Sequence, residues 1–182
     1  MESKNTAAEL LAAMRSGDSV SFSDILNTYQ LPVTRYLYRL TGDYEIARDL
    51  AQDTFIKVYK NIEKTKTDLK LQAWIYRIAT NTAFQHHRRK KIIRFIPFET
   101  MTKTEPGGNR KNPYDPVEGM AIKETLENIP YKLRICVVLY YVEGFKCWEI
   151  AETLGISETA VRKRISRGAG FFRKLYDGGN EK

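Results

Sequence analysis

Apolar residues recur at helical spacing along almost the whole chain, and the strict alternation that marks strands is scarce. Leu10, Leu11 and Met14 open the pattern, and Gly17 breaks it. Phe22, Ile25, Leu26 and Tyr29 fall at i, i+3, i+4 and i+7, with Ser21 and Asp24 placed as a capping box, until Pro32 interrupts. Val33, Tyr36, Leu37 and Leu40 form the next stripe, closed by Thr41-Gly42. A helix over about 45–62 turns Ala47, Ala51, Phe55, Val58 and Ile62 inward, and one from near Leu71 carries Trp74, Ile75, Ile78, Ala79 and Thr82. Periodicity then stops. From Ile96 to Val117, Pro97, Pro106, Pro113, Pro116 and the pair Gly107-Gly108 give linker chemistry. It resumes with Ile122, Leu126 and Ile129, breaks at Pro130, and returns with Leu133, Val137, Tyr140 and Tyr141 before Gly144. The pattern predicts an all-α chain with two small helical domains, 1–95 and 118–176, a flexible linker over 96–117 and a tail over 177–182.

The second domain ends in the most informative stretch, Ile150 to Arg167. Ile150, Ala151 and Leu154 make one apolar edge, and Gly155 suits the left-handed backbone of a sharp turn. Ser157 is placed to cap a new helix in which Val161 and Ile165 face inward at i, i+4. Arg162, Lys163, Ser166 and Arg167 then face outward, a donor set suited to phosphates and guanine edges. No acidic residue interrupts the run from Thr159 to Tyr176. This spacing predicts a helix-turn-helix whose second helix has the chemistry to enter a major groove.

Charge agrees. The 182 residues carry a formal net charge of +8, with a pI near 9.4, which points to an anionic partner. The cations cluster in His86-His87-Arg88-Arg89-Lys90-Lys91 and between Arg162 and Lys174, which favours nucleic acid over a membrane surface. No apolar run approaches spanning length, and Met1-Glu2-Ser3-Lys4 lacks a signal-peptide pattern, so a cytoplasmic protein is expected. Cys136 and Cys147 have no CxxC partner and read as free thiols.

Two further faces carry chemistry. Asp49, Gln52 and Asp53 share one side of their helix at i, i+3, i+4; the spacing fits either a docking face for a cationic protein or an ordinary solvated side. The helix from Leu71 leads with Trp74 and Tyr76, passes Asn81 and ends in the basic cluster. Aromatic and amide groups beside Lys and Arg suit single-stranded or melted nucleic acid, although Trp74 alone reads better as core. His86 and His87 diverge by about 100° on a helix and do not share a metal, so they read as part of the same polynucleotide face. No P-loop, zinc-ligand set or Ser/His/Asp constellation occurs at a usable spacing, so no catalytic residue, metal or cofactor is expected.

Leu50-Ala51-Gln52-Asp53-Thr54-Phe55-Ile56-Lys57-Val58-Tyr59, followed by Trp74 to Ala83, resembles region 2 of a bacterial RNA polymerase sigma factor of the extracytoplasmic-function (ECF) group. The helix-turn-helix, preceded by Ile129-Pro130-Tyr131-Lys132-Leu133-Arg134, is similar to region 4 of the same group. The resemblance covers about residues 7–176. It implies a promoter-specificity subunit, not an enzyme, with core RNA polymerase and promoter DNA as partners and an anti-sigma factor as inhibitor. It places Asp49, Gln52 and Asp53 on the polymerase, Asn81, Gln85, Arg88 and Arg89 on the −10 element, and Arg162, Lys163, Ser166 and Arg167 on the −35 element. The alternative is a stand-alone helix-turn-helix regulator, which implies a dimer on a palindromic site. Two stretches depart from the family. Thr65 to Lys70 stands where many relatives have a Phe-Arg-Gly type loop, and Lys146-Cys147-Trp148-Glu149 replaces Ser-Tyr-Glu-Glu, which removes a serine cap and places Trp148 at a position expected to be exposed.

Overall fold

The apolar stripes fold into helices that bury them on one another in the computed structural model, which describes residues 19–61, 70–95 and 117–179. Helices α1 (Ser19–Thr41), α2 (Tyr44–Asn61) and α3 (Leu71–Phe95) pack mutually. Ile25, Tyr36 and Leu37 of α1 meet Ala47, Phe55 and Val58 of α2 and Ile75, Ala79 and Ala83 of α3 in one buried cluster. Trp74 lies half-buried against that cluster, as core packing requires.

Pro32 does not interrupt α1, contrary to the expectation from sequence. Proline removes the bond to the carbonyl four residues back, here at Thr28, but Thr28, Leu31 and Pro32 are all exposed, so water accepts that role. Burial of Ile25 before it and of Val33, Tyr36, Leu37 and Leu40 after it holds both halves in one core. Because α1 begins at Ser19, Ser21 does not sit at its start as a capping residue.

The second helical group comprises α4 (Val117–Asn128), α5 (Tyr131–Val137), a π-helical turn (Val138–Val142), α6 (Cys147–Leu154) and α7 (Glu158–Gly179). Tyr140 and Tyr141 do not continue the buried stripe of Leu133 and Val137. The wider π turn shifts the helical phase, so Val138 and Leu139 are buried and Tyr140, Tyr141 and Val142 face solvent. Helix α7 lies against α5 through Gly168, where an added Cβ would sit 2.4 Å from Val137 Cγ2.

The two groups share one continuous core. The Tyr76 ring packs 5.1 Å from both Tyr36 and Phe145. Its hydroxyl donates to Glu143 at 2.6 Å, and Arg39 reaches the same carboxylate at 3.6 Å. Burial raises the pKa of Glu143 despite these two partners. The Arg134 guanidinium donates to the carbonyls of Leu40 (2.8 Å), Ile129 (3.2 Å) and Glu127, so one buried cation serves the C-terminal ends of α1 and α4. Expectations for the first 18 residues, Ile62, the Thr65–Lys70 loop before Lys70, the linker over 96–116 and the last three residues lie outside the described part.

Candidate nucleic-acid and protein interfaces

The turn between α6 and α7 is built by local chemistry. Gly155 takes φ 63°, and the Ile156 N–H donates to Ala151 O at 3.1 Å. Ser157 Oγ accepts from the Ala160 N–H at 3.2 Å, which caps α7 as its position predicts. Ile150, Val161 and Ile165 are buried between the two helices and α5. At the start of α6, Lys146 stands in place of a serine, yet Glu149 accepts the Lys146 N–H at 2.9 Å, half of a capping box. Burial acts to raise the Glu149 pKa, but the Lys70 ammonium at 2.8 Å and the Lys146 N–H outweigh it, and the carboxyl stays below its ordinary range. Trp148 is exposed, as expected, and Lys70 Nζ lies 4.2 Å above its ring.

Arg162, Lys163, Ser166 and Arg167 are all exposed on α7. Arg162 is engaged: Nε (3.2 Å) and Nη2 both donate to Glu158 Oε1 one turn earlier. Reading the helix for cations alone missed Glu158, although its i, i+4 spacing was visible. Arg164, between the outward residues, leans toward the interior and opposes the upward shift that burial imposes on the Cys136 thiol.

On α3, Asn81, Gln85, Arg88 and Arg89 are exposed and fall along one side at i, i+4, i+7 and i+8. His87 departs from the expected polynucleotide face. Its ring stacks on Tyr131 of the second group at 3.9 Å and 4°, with Phe84 edge-on to the same tyrosine at 5.5 Å. Burial lowers the pKa of both imidazoles, reinforced by Lys90 and Arg89 at His86 and by Lys91 and Arg134 at His87. Among the described residues no three His, Cys, Asp or Glu side chains gather in a way that could hold a metal ion.

Asp49, Gln52 and Asp53 are exposed on α2. Asp49 and Gln52 border a groove of about 680 Å³ between α1 and α2, floored by Phe22, Leu26 and Phe55. Ile56 and Tyr59 continue it and are exposed by 44% and 62%, so Asp49 and Gln52, together with Arg48, edge an amphipathic groove that Asp53 does not line. The apolar half was not evident in the sequence, because Ile56 and Tyr59 lie outside the inward stripe of Ala47, Ala51, Phe55 and Val58.

Residues 25–92 match the Sigma-70 region 2 family and residues 119–169 match the Sigma-70 region 4 family. The chain is 30% identical over 171 residues to the ECF RNA polymerase sigma factor SigW of Bacillus subtilis, a match covering 88% of this chain and 91% of that one. It is 28% identical over 177 residues to the ECF RNA polymerase sigma-E factor of Haemophilus influenzae, covering 92% and 93% of the two chains. Among solved structures, CnrH in complex with the cytosolic domain of CnrY shares the fold at a TM-score of 0.73 and 22% identity, over 94% of this chain and 97% of that chain. The sigma factor RpoE in complex with the anti-sigma factor NepR from Bartonella quintana does so at 0.70 and 19%, over 86% and 96%.

Proposed function

The chain belongs to the ECF group of sigma-70 family RNA polymerase sigma factors, and on that premise we propose how its surfaces divide the work. It directs transcription initiation as a subunit that binds core RNA polymerase and promoter DNA, and it is not an enzyme. A stand-alone regulator is not favoured, since a region 2 match spans residues 25–92 beside the helix-turn-helix.

In this proposal residues 1–95 form region 2, residues 118–176 form region 4, and 96–117 link them. Asp49, Gln52 and Asp53 dock on the polymerase, with the apolar floor beside Asp49 and Gln52 adding buried area to the charge contact. Asn81, with both donors and an acceptor, reads a base edge of the −10 element once the duplex opens, while Gln85, Arg88 and Arg89 hold the strand. Arg162, Lys163, Ser166 and Arg167 read and anchor the −35 element. The observation that supports this division is the run of exposed cations along α3 and α7, set against Asp49 and Asp53 on α2, where the neighbouring Arg48 is paired with Glu45. An anti-sigma protein is the expected inhibitor, by likeness to the RpoE fold bound by NepR. The cytoplasm is the expected compartment, where polymerase and promoter are found; no described helix is long and apolar enough to cross a membrane.

Runoff transcription with core polymerase on duplex and pre-melted templates tests the reading. Asn81→Ala is expected to assemble with polymerase, to fail on duplex promoters and to change −10 base preference, with pre-melting restoring opening but not preference. Asp49→Lys is expected to lose assembly while staying folded, because reversing the charge adds repulsion to the lost contact. Full assembly by folded Asp49→Lys and unchanged base preference in Asn81→Ala would remove both assignments.

A further inference from the structure

Among the described residues, Glu158 forms an ion pair with Arg162 on the outward face of α7. Taken alone it is an exposed i, i+4 pair of the kind that contributes little to stability. Its atoms say more. A guanidinium carries five N–H donors in one plane, arranged as an inner edge (Nε and Nη2) and an outer end (Nη1 and Nη2). Glu158 Oε1 takes both bonds on the inner edge, from Nε at 3.2 Å and from Nη2. The outer end is left free, and it is the end whose two parallel N–H groups match O6 and N7 of guanine.

The location gives this pair a consequence. Glu158 opens α7 directly after the capping Ser157, so the carboxylate sits on a helix turn already fixed by the Ser157–Ala160 hydrogen bond and beside the positive end of the helix dipole. Arg162 is otherwise a long, exposed side chain with many rotamers, and holding its inner edge narrows that freedom before DNA arrives. The same carboxylate faces the approach of phosphates on a surface that is otherwise cationic, which weakens contact with any sequence that does not engage the free end of Arg162. Both effects act on selectivity and in the same direction.

We propose that Glu158 is a positioning and specificity-determining residue for −35 recognition, buttressing Arg162 so that its outer N–H pair is presented to a guanine. The proposal rests on the assignment of α7 as the −35-reading helix. The test is transcription by core polymerase and the full-length chain on a promoter library randomised through the −35 element, with Glu158→Ala, Glu158→Gln, Arg162→Ala, Arg167→Ala and the Glu158→Ala/Arg162→Ala pair. Arg162→Ala marks the base position that Arg162 reads. At that position Glu158→Ala is expected to cut guanine preference by about 2- to 3-fold, the scale of what an exposed i, i+4 pair supplies. The double variant is expected to lose no more than Arg162→Ala alone. Glu158→Gln, which keeps an acceptor oxygen without the charge, is expected to fall between, and preference at the position read by Arg167 is expected to hold.

If Arg162→Ala flattens one position and Glu158→Ala leaves it sharp, the buttress is refuted while the helix assignment stands. If Glu158→Ala lowers preference uniformly at all positions together with the melting temperature, the residue is only a helix stabiliser and the proposal is overturned. If neither Arg162→Ala nor Arg167→Ala changes any preference, the assignment of α7 fails and the proposal fails with it.

Discussion

Through Arg134 one buried side chain serves two helix ends in two helical groups. Replacing it with methionine keeps most of the aliphatic volume and removes all its donors. Leu40 and Ile129 are each 1% exposed, so their carbonyls gain no water when the guanidinium is gone, whereas Glu127 is exposed and its carbonyl does. Two orphaned buried acceptors cost about 1–3 kcal/mol each. Against that, removing the guanidinium relieves its own burial, which lowers its pKa and leaves Nε without a partner. The net expectation is a loss of about 3 kcal/mol, or roughly 10 °C in melting temperature for a chain of this size. Arg134→Lys, whose single ammonium cannot span three diverging carbonyls, is expected to lose about half as much. Urea unfolding followed by tryptophan fluorescence measures this directly, since Trp74 lies in α3 and Trp148 in α6. With single-tryptophan variants, the wild-type chain is expected to unfold in one transition seen by both probes, and Arg134→Met in two. A loss below about 1 kcal/mol with coincident transitions would show that the contact between the groups does not depend on Arg134.

Glu143 makes that contact pH-dependent. Its pKa is raised in the folded chain, so its contribution is fully present below the ordinary carboxyl range and is lost as pH rises through the raised value. Glu143→Gln still accepts from the Tyr76 hydroxyl but does not titrate, so the stability of wild type relative to this variant is expected to fall as pH rises from the ordinary carboxyl range through the raised value; a difference in urea midpoints that stays constant as pH rises would refute it. Gly168→Ala gains about 1 kcal/mol of helix propensity but drives a Cβ into Val137, with an overpacking cost of about 1–3 kcal/mol. A net loss near 1 kcal/mol is expected, partly relieved in Gly168→Ala/Val137→Ala; calorimetry showing Gly168→Ala to be stabilising would mean that α5 and α7 separate at no cost.

The helices and the helix-turn-helix were legible in the sequence because the forces that make them act within one or two turns. Periodic burial at Val161 and Ile165, the left-handed turn at Gly155 and the cap at Ser157 involve neighbours a few residues away, and the structure places each as its spacing predicts. Exposure of Asp49, Gln52, Asn81 and Arg167 followed from the same logic, since a helix that buries one side shows the other. Tertiary structure decided the rest. Pro32 continues a helix because the packing on both sides of it outweighs one missing bond, and Tyr140 turns outward because a π turn resets the phase of a run that is apolar throughout. His87 leaves the polynucleotide face because Tyr131, from the other helical group, stacks over it. Arg134 reaches Leu40 across 94 positions, and Tyr76 reaches Glu143 across 67. Whether a buried charge is tolerated depends on which groups desolvate it and which satisfy it. Those groups come from remote segments, so local pattern determines the elements and their outward chemistry, while the joining of the two groups is decided only where distant polar atoms meet away from water.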